Sequence, residues 1–551
     1  MCCAAVAFLL GAGTPASSQL AAGNPEKGAA RDGWPAHAVR ARQGMVASDE
    51  PLASAAGVEI LRKGGNAVDA AVATAFALAV VRPAAGNIGG GGFMLVRLAD
   101  GRTSLFDYRE VAAGKATRDM YIGPDGKLDS DAATIGYRSV AVPGTVAGLE
   151  LAQKTYGRLK LAEVMAPAIG LAEEGFPVSE KLARGLARER EDLQRFSVTR
   201  RIFLRDGQLY REGEIFRQPE LAATLKRIAR NGSAEFYRGE TARMLADDMA
   251  RMGGLITLED LASYRVKVRE VLRATYEQDG HKWEVIAPPP PSSGGVAMIE
   301  ALNMLQDTSL SGWHDAASVH RVAEVMRRVF ADRAAYLADP DYAKVPVEGL
   351  VAGCYARELA ATIDPRHASS SGTLRAGRPH TCGSAAPWDG EPQTIVSLGE
   401  GMHTTHFSVV DSAGNAVANT YTLNDSYGSH VTCTAGFLLN DEMDDFTSQP
   451  GKPNALFGLV QSEANAIAPG KRPLSSMTPT ILLRDGKLSF VTGSPGGATI
   501  ISVTLLSVLN WMRLDMEAQA AINAPRFHHQ WLPDQILVEK DFPGDVAQAL
   551  R

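Results

Sequence analysis

Thr404 opens the stretch of this 551-residue chain with the most chemistry in it. It stands in Met402-His403-Thr404-Thr405-His406-Phe407-Ser408-Val409-Val410-Asp411, between a polar linker (about 367–401) and a strand-like pattern. A threonine hydroxyl is a poor nucleophile until a base takes its proton. A free α-amine, with a pKa of about 7.7–8.0, can be that base at working pH. An internal threonine has only an amide nitrogen, which accepts no proton. The chemistry therefore requires a cut between His403 and Thr404. A lone threonine at a strand start is otherwise an ordinary strand residue, so its surroundings decide.

Four other segments offer chemistry. Gly493-Ser494-Pro495-Gly496-Gly497 joins a strand to a helix, and free N–H groups at a helix start bind an anion or a developing oxyanion. Taken alone it is a tight turn. Glu442-Met443-Asp444-Asp445-Phe446 clusters carboxylates at an expected strand end; alone it is an acidic turn or a cation site. Lys471-Arg472-Pro473-Leu474-Ser475-Ser476-Met477 sets two hydroxyls beside basic residues, and alone it is a loop. The strand Thr103–Tyr108 delivers Arg109 and Glu110 to its end. Together they fit an α-amino acid head group: Arg109, Ser475 and Ser476 for the carboxylate, Glu442 and Asp445 for the ammonium. Complementary charges are selective because a buried charge left unpaired is costly.

Other classes are disfavoured. Net charge is −6 with no basic cluster, which argues against a nucleic-acid partner. The zincin, P-loop and nucleophile-elbow motifs are absent, and no metal or cofactor is implied. The glycine run Gly86–Gly92 lies between a helix and a strand, the reverse of a phosphate loop; it reads as a close approach of backbone to backbone or ligand. His528-His529 reads as structural. Of five cysteines, Cys2 and Cys3 sit in a leader-like start; Cys354, Cys382 and Cys433 read as buried or free thiols rather than a disulfide framework or zinc site, with a Cys354–Cys382 bridge as the alternative in an exported protein. Residues 2–13 are apolar with small residues following, which reads as a signal peptide within residues 1–24. Periplasmic or secreted location follows, with no membrane span.

These residues need positioning elements. Pro51–Lys63 and the wholly apolar Ala67–Val81 read as helices, the second fully buried. Phe93–Leu98 and Thr103–Tyr108 read as paired strands, as do Thr405–Asp411 with Ala416–Leu423, and Thr480–Leu483 with Leu488–Thr492. Pro288–Pro291 reads as a stiff connector into the helix Val296–Leu305, and Ala498–Met512 is helical. Hairpins and helices without clear βαβ repeats favour antiparallel sheets covered by helices, an α+β class.

The segments GGNAVDAAVA, GNIGGGGFM, DYRE, PGTVAG, PPPPSSGG, TTHFSVVD, TYTLN, MDDF, KRPLSSM, GSPGG and NAPRFHHQWLPD occur in that order from about Met45 to Lys540. In this set the chain resembles the γ-glutamyltranspeptidases (glutathione hydrolases) of the N-terminal-nucleophile hydrolase superfamily. The resemblance implies a four-layer αββα sandwich and self-cleavage at His403–Thr404. It implies a large subunit (25–403, with a linker at about 367–403) and a small subunit (404–551) as a heterodimer from one precursor. It also implies that the small subunit is short at its C-terminal end. Thr404 becomes the nucleophile and Thr422 its hydrogen-bonding assistant. Asn424, Glu442 and Asp445 take the substrate amino end, and Arg109, Ser475 and Ser476 its carboxylate. Gly496 and Gly497 supply the oxyanion hole, and Pro450–Pro469 forms a lid in which Leu456-Phe457 replaces the family's usual tyrosine. The expected reaction passes a γ-glutamyl group from glutathione, through an ester, to water or to an amino acid or dipeptide. Two other readings stand beside it: a related acylase for glutaryl β-lactams or poly-γ-glutamate, and an unprocessed binding homologue.

Overall fold

The computed structural model describes residues 37–205, 207–383 and 404–551, with the short strand Val6–Ala7. His403 and the later part of the linker lie outside these residues. Two antiparallel sheets lie face to face. The first runs, in spatial order, Gly44–Ala47, Thr405–Asp411, Ala416–Thr422, Gly91–Arg97, Thr103–Asp107 and Lys267–Arg269. The second runs Val6–Ala7, Lys487–Thr492, Thr480–Arg484, His281–Ala287 and Leu272–Gln278.

Strand alternation sorts side chains between layers. On Thr405–Asp411, Phe407 and Val409 enter the apolar cluster shared with the helix Ala67–Val81. His406, Ser408 and Val410 point the other way, between the sheets, where Val410 meets Ile286, Ile481 and Val491 of the second sheet. Ser408 Oγ donates to the Val491 carbonyl at 3.2 Å, tying one sheet to the other. The outer face of the second sheet packs, through Trp283, Val285, Leu482 and Phe490, on the helices Gly294–Met304, Ala316–Tyr336 and Thr499–Met512. The result is the four-layer αββα sandwich expected. Every residue of Ala67–Val81 is buried, as its uninterrupted apolar pattern requires, and an Asn66–Asp69 capping box closes its first turn.

The glycine run serves backbone approach. A Cβ on Gly90 would collide with the Thr422 carbonyl, one on Gly92 with that of Thr420, and one on Gly89 with that of Leu438. Cys354 and Cys382 are bonded, against the favoured reading of free thiols, because the fold brings their Cα atoms to 5.6 Å; Cys433 is free and buried as expected. Among the described residues no helix is long and apolar enough to cross a membrane. The acidic cluster departs from expectation: Glu442–Asp445 is a short 3-10 helix, not a strand end.

Gly90→Ala should displace Thr422 and lower activity by at least about 100-fold, the order of a misplaced reacting group. Gly101→Ala, in open space at φ +92, should cost only about 1 kcal/mol in thermal melts while keeping activity.

Candidate active site

The pairing of strands Thr405–Asp411 and Ala416–Thr422 builds the centre. Thr405 lies opposite Tyr421, so one step further Thr404 lies opposite Thr422. Both fall on the inter-sheet face of their strands. Thr404 Oγ1 donates to Thr422 Oγ1 at 3.4 Å, and Thr422 Oγ1 also accepts the Asn424 N–H at 2.9 Å. Asn87 Nδ2 holds the Thr422 carbonyl at 2.8 Å. Asn424 sits at φ 84, a left-handed conformation asparagine tolerates better than most residues.

A narrow, partly open cavity lies here, lined by Arg109, Thr404, Thr422, Asn424, Glu442, Asp445, Ser475, Ser476 and Gly497, with Phe457 and Leu459 of the segment 450–469. Gly497 follows Gly496, which has φ 135 and whose carbonyl accepts from Thr499 N at 3.0 Å. The two glycines thus precede the helix Thr499–Met512.

Ser475 and Ser476 are fixed from the second sheet's side. The Ser475 N–H donates to the Pro291 carbonyl at 2.8 Å, and the Ser475 carbonyl accepts from Ser293 N and Oγ, each at 2.7 Å. The proline run thus has a defined task, which is to align the serine loop. The segment 450–469 is tied down by Asp444, whose carboxylate accepts from Ala455 N at 3.0 Å, Leu456 N at 3.1 Å and Asn454 Nδ2 at 2.9 Å.

Arg109 is fully buried and occupied differently from expectation. It pairs directly with Glu442 and with Asp445, the two acids expected to take an ammonium, and more loosely with Glu110 at 3.4 Å. Its Nε donates to the Pro473 carbonyl at 3.2 Å. Buried acids beside one another resist full ionisation. Burial, opposed by Arg109, pushes the Glu110 carboxyl up to about 7 and Glu442 well above the carboxylate range. Glu442 Oε2 and Glu110 Oε1 are buried without a hydrogen-bond partner among the described residues. Glu110 and Glu442 interact with each other as neighbouring buried acids: the charge of Glu110 raises the pKa of Glu442, as that of Asp445 raises both, against the pull of Arg109.

Residues 53–551 match the family described as Gamma-glutamyltranspeptidase. The chain belongs to this family. A glutathione hydrolase proenzyme of Escherichia coli (strain K12) is 45% identical over 518 residues, covering 93% of this chain and 86% of that protein. Among solved structures, a cephalosporin acylase from Bacillus halodurans superposes with a TM-score of 0.77 at 28% identity, covering 95% of this chain and 90% of that one. A γ-glutamyltranspeptidase from Helicobacter pylori does so with a TM-score of 0.61 at 40% identity, covering 64% of this chain and 100% of that one. This family member is a γ-glutamyl hydrolase/transferase with the αββα fold of the N-terminal-nucleophile hydrolases, made as a proenzyme.

In this γ-glutamyltranspeptidase the structure gathers Thr404, Thr422, Asn424, Arg109, Glu442, Asp445, Ser475, Ser476 and Gly497 around one cavity. His528 and His529 stay out of it. They are buried, with His528 bonded to Ser502 and Gln530, and burial lowers their pKa to about 4 and about 3. Sequence reasoning missed Asn87 and Arg333, and placed Asp444 in the acidic cluster without its task of holding residues 454–456. Asn87 could have been found beside the glycine run, since a polar side chain there must serve crowded backbone.

Glu110 gives a pH test. Its folded pKa is raised from 4.5 to about 7, so this group's contribution to stability falls as pH rises through that window. Glu110→Gln removes the fall. The variant's melting temperature should gain on the wild type between pH 4.5 and about 7 and hold that gain above it. A difference that stays constant across the window would contradict the assignment.

Proposed function

We propose that Thr404 performs two acylations with one hydroxyl. In the first it attacks the carbonyl of His403. The peptide bond breaks, the amide nitrogen leaves with a proton as the α-amine of Thr404, and water hydrolyses the resulting ester. In the second, the freed α-amine takes the hydroxyl proton while Oγ1 attacks the γ-carbonyl of a γ-glutamyl compound such as glutathione. The N–H groups of Gly496 and Gly497 stabilise the oxyanion. The amine of the departing group collects the proton, and a γ-glutamyl ester remains on Thr404. Water, or an amino acid or dipeptide, then takes the γ-glutamyl group. The contact of Thr404 Oγ1 with Thr422 Oγ1 across the paired strands supports this reading above all other observations. Thr422 orients the nucleophile and shares its proton.

Asn424, Glu442 and Asp445 receive the substrate ammonium, and Arg109, Ser475 and Ser476 its α-carboxylate. The two acids Glu442 and Asp445 at the cavity support an amino-bearing substrate over a glutaryl one, which has no ammonium to meet them. The lid 450–469 covers this pocket without a tyrosine, and Phe457 adds only an apolar wall. Cleavage gives a large subunit, 25–403, and a small one, 404–551, and the leader is removed at about residue 24. The Cys354–Cys382 bond supports a periplasmic or secreted location, where disulfides persist.

Purified protein on a denaturing gel should give two bands, the smaller starting at Thr404. Thr404→Ala should give one uncut chain without activity, and Thr422→Ala should lower kcat by about 10²-fold or more, the order of a lost proton-transfer partner. Cleavage of the Thr404→Ala chain at the same bond would refute self-processing. Equal turnover of glutaryl and γ-glutamyl donors would refute the role given to Glu442 and Asp445.

A further inference from the structure

The helix Ala316–Tyr336 carries a buried cation that the reaction described above does not use. Arg333 is 2% exposed and forms no ion pair among the described residues. Its neighbour Asp332 faces elsewhere, accepting from Tyr355 and from the Gly377 N–H. Arg333 instead donates Nη2 to Ser476 Oγ at 3.2 Å and Nε to Ser293 Oγ at 3.0 Å. Its Nη1 is buried with no hydrogen-bond partner. A buried guanidinium served only by hydroxyls is costly, and burial lowers its pKa to about 10 against the pull of Asp445.

These contacts act on both serines. A hydroxyl has one proton to donate. Because Arg333 fills an acceptor position on Ser476 Oγ, the Ser476 proton is free to turn into the cavity. Ser293 takes an Arg333 N–H and passes its own proton to the Ser475 carbonyl, fixing that residue in turn. Arg109 shares its charge with Glu442 and Asp445, so a second cation beside the serines strengthens the hold on an anion.

We propose that Arg333 is the positioning residue for the α-carboxylate of the γ-glutamyl donor: it sets Ser476 as a donor, fixes the Ser475 backbone through Ser293, and adds, from behind the two serines, positive charge to that of Arg109, which Glu442 and Asp445 share. The inference rests on the reading that these serines hold that carboxylate. It assigns to Arg333 the preference for donors with a free α-carboxylate over those with a neutral group there.

The test compares two chromogenic γ-glutamyl anilides, one with a free α-carboxylate and one with an α-carboxamide, in wild type, R333Q and R333K. The ratio of their kcat/KM values is independent of the fraction of protein that matured. Wild type should prefer the carboxylate strongly, and R333Q should lose about 10- to 100-fold of that preference, mainly through KM, as for a charge-assisted contact. R333K keeps the charge but not the fork, and should fall between. No preference in wild type would overturn the serine reading and the inference with it. A wild-type preference retained in full by R333Q would overturn the role of Arg333 alone. Absence of processed protein from both variants would overturn it in favour of a role in folding.

Discussion

One buried charge cluster joins the two halves of this molecule. Arg109 comes from the first half of the chain; Glu442 and Asp445 come from beyond Thr404. None of these groups would be buried alone, because desolvating a single ion costs several kcal/mol. Each half therefore needs the other to complete the pocket. Such a cluster is weak evidence for stability, and replacing it with apolar groups could stabilise the fold. Its value lies in specificity. It holds excess acid beside a cavity, so an amino acid head group can complete it where an apolar ligand cannot.

The nucleophile depends on a different constraint, strand register. Thr404 meets Thr422 because Thr405 pairs with Tyr421 and the side-chain period of a strand is two. A slip of one residue would send both hydroxyls into the helix layer beside Phe407 and Tyr421. Register is held by Val410 in the inter-sheet core, by the Ser408 bond to Val491, and by the glycines that let Gly91–Arg97 lie against Ala416–Thr422. The chemistry thus inherits its precision from apolar packing some residues away.

Much of this was legible in the sequence. The uniform apolar run of Ala67–Val81 announced a buried helix, and the hairpins followed their turn residues. The motifs were legible as a set because their order matched a family; singly, each was a turn or a loop. Three things were not legible. Glu442–Asp445 has no hydrophobic period, so a short 3-10 turn looked like a strand end. The pairing of Arg109 with Glu442 and Asp445 joins residues more than three hundred positions apart, which only the tertiary fold brings together. Arg333 stands in a helix with charges on several faces, and only the tertiary packing shows that its face is buried and unpaired.

In the proposed mechanism the hydroxyl of Thr404, activated by the α-amine that cleavage frees, carries the γ-glutamyl group. Mass spectrometry of enzyme quenched during steady-state turnover tests it most directly. One γ-glutamyl adduct is expected on the peptide that begins at Thr404, appearing with donor and discharged by an acceptor. An adduct on any other residue, or turnover with that peptide unmodified, would contradict it.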